Sequence, residues 1–190
     1  MAHPLKTALR QTLRGLRSRL SLDYQQNASL KVCERIKTLQ QYRQAKRIAL
    51  YQATQGEIDL SAIWRSAPMH GKYCYFPSLN DDKTLSFLPA TPSTPFVTNR
   101  FGIKEPDIAR SEAISPHDLD IIFLPLVAFD TEGARLGMGA GYYDRTLART
   151  ISPLLLGVAY EFQRQAYLFP EEWDIRLHAT ITQKHIYWSI

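Results

Sequence analysis

Leu5, Leu9, Leu13, Leu16 and Leu20 recur at steps of four and three, the spacing that gathers side chains on one stripe of an α-helix. Lys6, Arg10, Arg14 and Arg17 follow the same period on a neighbouring face. The pattern predicts an amphipathic first helix, leucines inward, with a column of cations beside them. Ser21 suits the N-cap of a second helix running to about Leu39, with Val32, Ile36 and Leu39 inward. Residues 47–52 read as a strand, followed by a short helix starting near Glu57. Residues 72–76 and 84–88 are aromatic and β-branched enough for two more strands, the first closed by Pro77. The stretch 89–100 carries Pro89, Pro92 and Pro95 and reads as a loop.

Residues 120–128 form a nearly continuous apolar run, the mark of a strand covered on both faces in a parallel sheet. A glycine-rich turn and a helix over 141–149 follow. Residues 154–160 read as another buried strand, and 178–187 contain the last. Strands and helices alternate without internal repeat or linker. The expected fold class is α/β: a three-layer sandwich with a mostly parallel central sheet, Rossmann-like, in a single domain over residues 1–190.

At 190 residues and 45% hydrophobic, the chain can bury a core without disulfide or metal. Cys33 and Cys74 form no CxxC pair, which argues against a secreted disulfide scaffold and a thiolate zinc site. Cations interrupt the N-terminal segment too often for a signal peptide. The longest apolar run, 121–129, contains Pro125 and is too short to cross a bilayer. A soluble, cytoplasmic protein is expected. The net charge of +5 favours anionic partners in general but does not choose between nucleic acid, nucleotide phosphates and a small polyanion.

The choice comes from the segment Arg135-Leu-Gly-Met-Gly-Ala-Gly-Tyr-Tyr-Asp-Arg145. Gly137, Gly139 and Gly141 let a backbone approach a ligand closely and adopt positive φ. A turn of this kind feeding a helix suits phosphate, and Arg135 and Arg145 flank it. Asp144 sits where a carboxylate could meet Mg2+ bridging the phosphates. Taken alone, the spacing fits a plain strand-to-helix turn equally well, with Asp144 as a favourable first-turn acid. A P-loop is excluded, because Gly71-Lys72 is followed by Tyr73. A dinucleotide fingerprint fits poorly. Bulky Tyr142 occupies its third glycine position and residues 131–136 separate turn from strand, although Glu161 lies where a ribose-binding acid would. No GxSxG or HExxH motif is present, nor any RNP, KH or zinc-finger pattern.

The run RLGMGAGYYDRTL after DIIFLPLVAFD closely resembles the signature of the 5-formyltetrahydrofolate cyclo-ligases. The likeness extends over nearly the whole chain, through the K-x-x-L-R pattern at 6–10, GEIDL with Glu57, CYFPSL, RFGIKEP and WDIRL with Asp174. Two positions depart from the family pattern: Ala140, often Gly or Lys there, and Gln183, often acidic.

The resemblance implies conversion of 5-formyltetrahydrofolate and MgATP to 5,10-methenyltetrahydrofolate, ADP and phosphate. It implies that Lys6 and Arg10 contact the ATP phosphates and that Arg135, Leu136, Gly137, Met138, Gly139, Ala140, Gly141, Tyr142 and Tyr143 cradle the nucleotide. Asp144 and Asp174 would hold Mg2+. Gln52, Glu57 and Tyr143 would bind the folate, and Arg145 and Tyr143 would serve the reaction. Read without the family, Glu57 is a helix-start acid and Tyr143 a core aromatic. Lys104 and Glu105 lie in a matched island without an assigned role. Neither nucleic acid nor membrane is expected as a partner, and a monomer is.

Overall fold

The computed structural model describes residues 4–189. Three helices come first: α1 (Pro4–Ser18), α2 (Leu22–Thr38) and α3 (Gln40–Gln44). Ser21 caps α2 as expected, its hydroxyl accepting the Tyr24 N–H at 3.2 Å. The strands β1 (Arg47–Ala49), β2 (Tyr73–Leu79), β3 (Leu85–Pro89), β6 (Ile121–Pro125), β9 (Leu154–Val158), β10 (Ala179–Ile181) and β11 (Ile186–Trp188) form one sheet in the order β11-β10-β9-β6-β1-β2-β3. The five inner strands are parallel and the two edge strands antiparallel.

Strand residues alternate between two cores, as the pleat requires. Ile48, Ile121, Phe123, Leu156, Ala179 and Ile181 meet α2, α3 and α4 (Ser61–Ser66) on one face. Ala49, Ile122, Leu124 and Leu155 meet Leu147 of α5 (Tyr142–Leu147) and Phe87 on the other. Both faces of β6 are therefore buried, which is why its sequence reads as an unbroken apolar run. The second face is the thinner layer, because only the six-residue α5 covers it as a helix.

The chain runs from β1 to β2 on one side and returns to β6, β9 and β10 on the other. Strand order thus reverses between β1 and β6, and the loops leaving their C-terminal ends diverge into a crevice. A third apolar cluster closes that end: Leu13 of α1 packs on Val127, Ala128, Leu136 and Leu168 beside the small ribbon β7 (Ala128–Phe129) and β8 (Arg135–Leu136).

Several elements differ from expectation. The helix expected near Glu57 starts at Ser61, because Gln55 and Gly56 both take positive φ and Asp59 accepts the Ser61 N–H. The run 120–128 breaks after Pro125, and the Leu126 and Val127 carbonyls turn to the buried Gln163 amide. The stretch 89–100 includes β4 (Phe96–Thr98), paired with β5 (Lys104–Pro106). Segment 178–187 holds two strands, β10 and most of β11. The leucine stripe of α1 is only partly inward. Leu5 and Leu16 are exposed, and the inward stripe is Lys6, Leu9, Arg10, Leu13 and Arg17, of which Leu13 and Arg17 are buried and the others half-buried, with Leu20 just beyond the helix.

Candidate functional site

Two groups of side chains meet over the crevice, one at each end of α1. At its N-terminal half, Arg10 donates Nε–H to the Gly137 carbonyl at 2.8 Å. Its guanidinium lies against Gly139, where an added Cβ would sit 3.5 Å from Arg10 Cζ. Burial lowers the Arg10 pKa from its ordinary value, and nearby Asp174 opposes that shift. Lys6 stands 3.5 Å from Asp174 Oδ2 and 3.4 Å from Glu171. The cations of this helix are therefore not a solvated face. Lys6, Arg10 and Arg17 turn toward the body of the protein, and Arg14 reaches Gln55 at 3.0 Å.

The glycine-rich segment forms an open turn. Gly139 at φ +100° and Gly141 at +70° need the freedom that glycine supplies. Gly137 has nothing within 4 Å of a built Cβ. The backbone N–H groups of 137–140 have no partner among the described residues. The turn is thus a set of unpaired donors beside cationic side chains, with Met138 and Ala140 exposed and Leu136 buried beneath them. Arg145 braces it from below, donating to the Ala140 carbonyl and, at 3.0 Å, to the Lys83 carbonyl, with Tyr142 under its guanidinium.

Asp144 Oδ1 accepts from Arg135 at 2.7 Å and from the Ile175 N–H at 3.2 Å. Arg135, almost fully buried, also donates to the Ile175 carbonyl. Asp174, the chain neighbour of Ile175, is accordingly brought to the same corner, where its Oδ2 accepts the Glu171 N–H at 2.9 Å. No group of three or more His, Cys, Asp or Glu among the described residues could hold a metal by itself. Two carboxylates, each with one oxygen that no described hydrogen bond uses, suit an ion whose remaining ligands are water and phosphate. Mg2+ is such an ion.

The second group lies at the mouth of β1. Glu57 is nearly buried; its Oε2 accepts the Thr54 N–H at 3.0 Å and its Oε1 stands 3.5 Å from Arg17 Nη2. Burial raises the Glu57 pKa, with Arg17 and Thr54 opposing. Burial also raises the Tyr51 and Tyr143 phenols well above their ordinary value, with the Glu57 charge adding to both. The charges of Glu57 and Arg135 both act on the Tyr143 phenol, the first raising and the second lowering its pKa. Gln52 is half-buried three residues past β1. Tyr51 donates to the Ile58 carbonyl at 2.7 Å and fixes the base of this loop.

All the expected site residues thus gather at one end of the sheet. Arg17 and Tyr51 were not among them. The signal for Arg17 was present, since positions 6, 10, 13 and 17 form one helical stripe, but a buried arginine looks like a surface one in sequence. Glu105, left without a role, is a structural clamp: it accepts from Ser78 at 2.7 Å, Leu79 N–H at 3.0 Å and Asn99 at 2.6 Å. Glu161, considered as a ribose acid, is occupied by the Thr182 hydroxyl at 2.6 Å and the Tyr187 hydroxyl. Gln183 accepts the Glu161 N–H at 3.0 Å and donates to Tyr24. Two shallow cavities of about 330 and 380 Å3 open at the opposite end of the parallel strands and include none of the site residues. No helix among the described residues is long and apolar enough to cross a membrane.

The chain is similar to known proteins over nearly its whole length. Residues 2–183 match the model of the 5-formyltetrahydrofolate cyclo-ligase family. A 5-formyltetrahydrofolate cyclo-ligase of Haemophilus influenzae is 40% identical over 173 residues, covering 89% of this chain and 92% of that protein. Its counterpart in Escherichia coli K12 is 33% identical over 183 residues, covering 92% and 98%. The NMR structure of Aquifex aeolicus 5,10-methenyltetrahydrofolate synthetase superposes with a TM-score of 0.85 at 35% identity, covering 97% of this chain and 92% of that one. A likeness that runs from α1 to the segment after β10 leaves one assignment: the chain belongs to the 5-formyltetrahydrofolate cyclo-ligase family.

Proposed function

We propose that the protein converts 5-formyltetrahydrofolate to 5,10-methenyltetrahydrofolate, with ATP cleaved to ADP and phosphate. One observation carries this reading: α1 spans both groups, with Arg10 donating to the Gly137 carbonyl of the turn at 2.8 Å and Arg17 Nη2 standing 3.5 Å from Glu57 Oε1. A phosphate-binding turn and a buried carboxylate that can accept from pterin N–H groups thereby open onto a common crevice.

The N5-formyl group is amide-like, a poor electrophile with a poor leaving oxygen. Phosphoryl transfer to that oxygen creates an iminium-like phosphate, and N10 then closes the five-membered ring and expels phosphate. Such a reaction asks the protein chiefly for alignment and charge neutralisation. The 137–140 amides, Lys6 and Arg10 would hold the triphosphate. Arg135 is committed to Asp144 and the Ile175 carbonyl and would orient Asp144, while Arg145 holds the shape of the turn. Asp144 and Asp174 would hold Mg2+, which when bound supplies charge neutralisation for the phosphates. Glu57 and Gln52 would bind the pterin edge, and Tyr143 would border the ring next to the transferring phosphoryl group. The chain would act as one domain and as a monomer in the cytoplasm.

The test is direct. Purified protein with 5-formyltetrahydrofolate and MgATP should develop the absorbance of the methenyl product, in proportion to ATP consumed. No growth with ATP present overturns the assignment.

A further inference from the structure

We propose that Arg17 is a positioning residue that keeps the Glu57 carboxylate ionised and aimed at the pterin. This rests on the folate reading of Glu57 given above. Arg17 is 1% exposed, the largest fully buried side chain among the described residues, and nothing in an isolated α1 would favour burying it. Its Nε donates to the Gln55 carbonyl at 3.0 Å, Nη1 to the Leu126 carbonyl at 3.3 Å, and Nη2 stands 3.5 Å from Glu57 Oε1 with no hydrogen-bond acceptor. The first two bonds tie the loop after β1 to the bend after β6, the two walls of the crevice. The third donor is held in reserve for the carboxylate.

The rest of the surroundings does not favour that charge. Among the described residues, the ionisable groups whose charges couple to Glu57 are Arg17 from α1, Tyr51 from the loop after β1, Tyr143 from α5 and Tyr160 after β9; of these, Arg17 is the one cation. Burial pushes the Glu57 pKa up, and Arg17 is the largest influence opposing it. A protonated Glu57 would offer one acceptor fewer to a pterin edge that presents N–H donors. Arg17 also lies seven residues beyond Arg10, about 10 Å along the same helix. One rigid element therefore carries the phosphate-side cations at one end and the partner of the folate-side acid at the other.

The experiment measures kcat/KM for 5-formyltetrahydrofolate across pH 5.5–9 for wild type, Arg17→Met, Arg17→Lys, Glu57→Gln and the Arg17→Met/Glu57→Gln double variant, with KM for ATP alongside. Arg17→Met should move the acid limb upward by about one pH unit, a tenfold loss at its foot that recovers as pH rises. Arg17→Lys should return the limb toward wild type, and KM for ATP should stay within about twofold. In the Glu57→Gln background, Arg17→Met should add little and no acid limb should move. An unmoved limb in Arg17→Met, or an equal loss with and without Glu57, overturns the positioning role. Should Arg17→Met not fold, an Arg17→Lys profile identical to wild type supports the role and a uniform loss at every pH refutes it. If Glu57→Gln leaves KM for folate unchanged, the folate reading of Glu57 itself fails, whatever Arg17 does.

Discussion

The Arg10 side chain donates to the main-chain carbonyl of Gly137 at 2.8 Å, joining residues 127 positions apart at the opening of the crevice. The bond seats the N-terminal half of α1 on the glycine-rich turn. A cation and a row of free amides are thereby presented together before any ligand arrives, and little ordering is left for binding to supply.

Gly139 is the point where that seating is most sensitive. At φ +100° a β-branched residue is strained by at least about 1–2 kcal/mol, and its methyl groups would extend toward the Arg10 guanidinium from a Cβ already 3.5 Å from Cζ. Gly139→Val should keep the circular dichroism spectrum of the wild type and raise KM for ATP by about tenfold or more. Unchanged ATP affinity would remove the turn from the nucleotide site.

Asp144 is held by Arg135 and Ile175 with one oxygen left over. Asp144→Asn removes the charge and half of the proposed ion-binding pair. A titration of initial rate against Mg2+ should show a requirement about 10–100-fold higher and a lower plateau. Wild-type metal dependence in this variant would take Asp144 out of the site.

Glu161 predicts an acid-side stability effect. Burial raises its pKa, but hydrogen bonds from Thr182 and Tyr187 and the charges of His185 and Arg164 outweigh burial, and the net shift is downward. A carboxylate whose folded pKa is depressed stabilises the fold above its unfolded value of 4.5, and the contribution is lost as pH falls through the lower folded value. Thermal denaturation from pH 7 to pH 3 should show Glu161→Gln less stable than wild type at pH 7 and the gap closing below about pH 4. A gap that stays constant with pH would show that the charge of Glu161 does not matter.

Glu105 should matter to stability without touching the chemistry. It is 8% exposed and accepts three hydrogen bonds: two, from Ser78 and the Leu79 N–H, fasten the β4–β5 ribbon to β2, and the third, from Asn99, holds the ribbon's own loop. Glu105→Ala should cost about 2–4 kcal/mol and speed hydrogen exchange in residues 96–106 before the rest of the sheet. Slow exchange retained there would contradict the clamp.

Much of this protein was legible in the chain itself. The Ser21 cap, the run that becomes β6 and the glycines of the turn are local: a hydroxyl before a helical stripe, an apolar stretch, residues that tolerate positive φ. The cation column of α1 was also legible, because helical period fixes which side chains share a face. What period does not contain is the surface that the face will meet. Only the folded chain put Arg17 against Glu57, Lys6 against Asp174 and Glu105 under Ser78, and only it turned two leucines of the stripe outward so that arginines could go in. These pairings join residues 27 to 168 positions apart; Glu57 and Asp174 lie on loops with no period of their own, and Ser78 and Glu105 lie on two separate strands that only the folded chain brings together. The short strands β4, β5 and β11 escaped for a related reason: with three residues each, the neighbour they pair with decides their conformation more than their own sequence does.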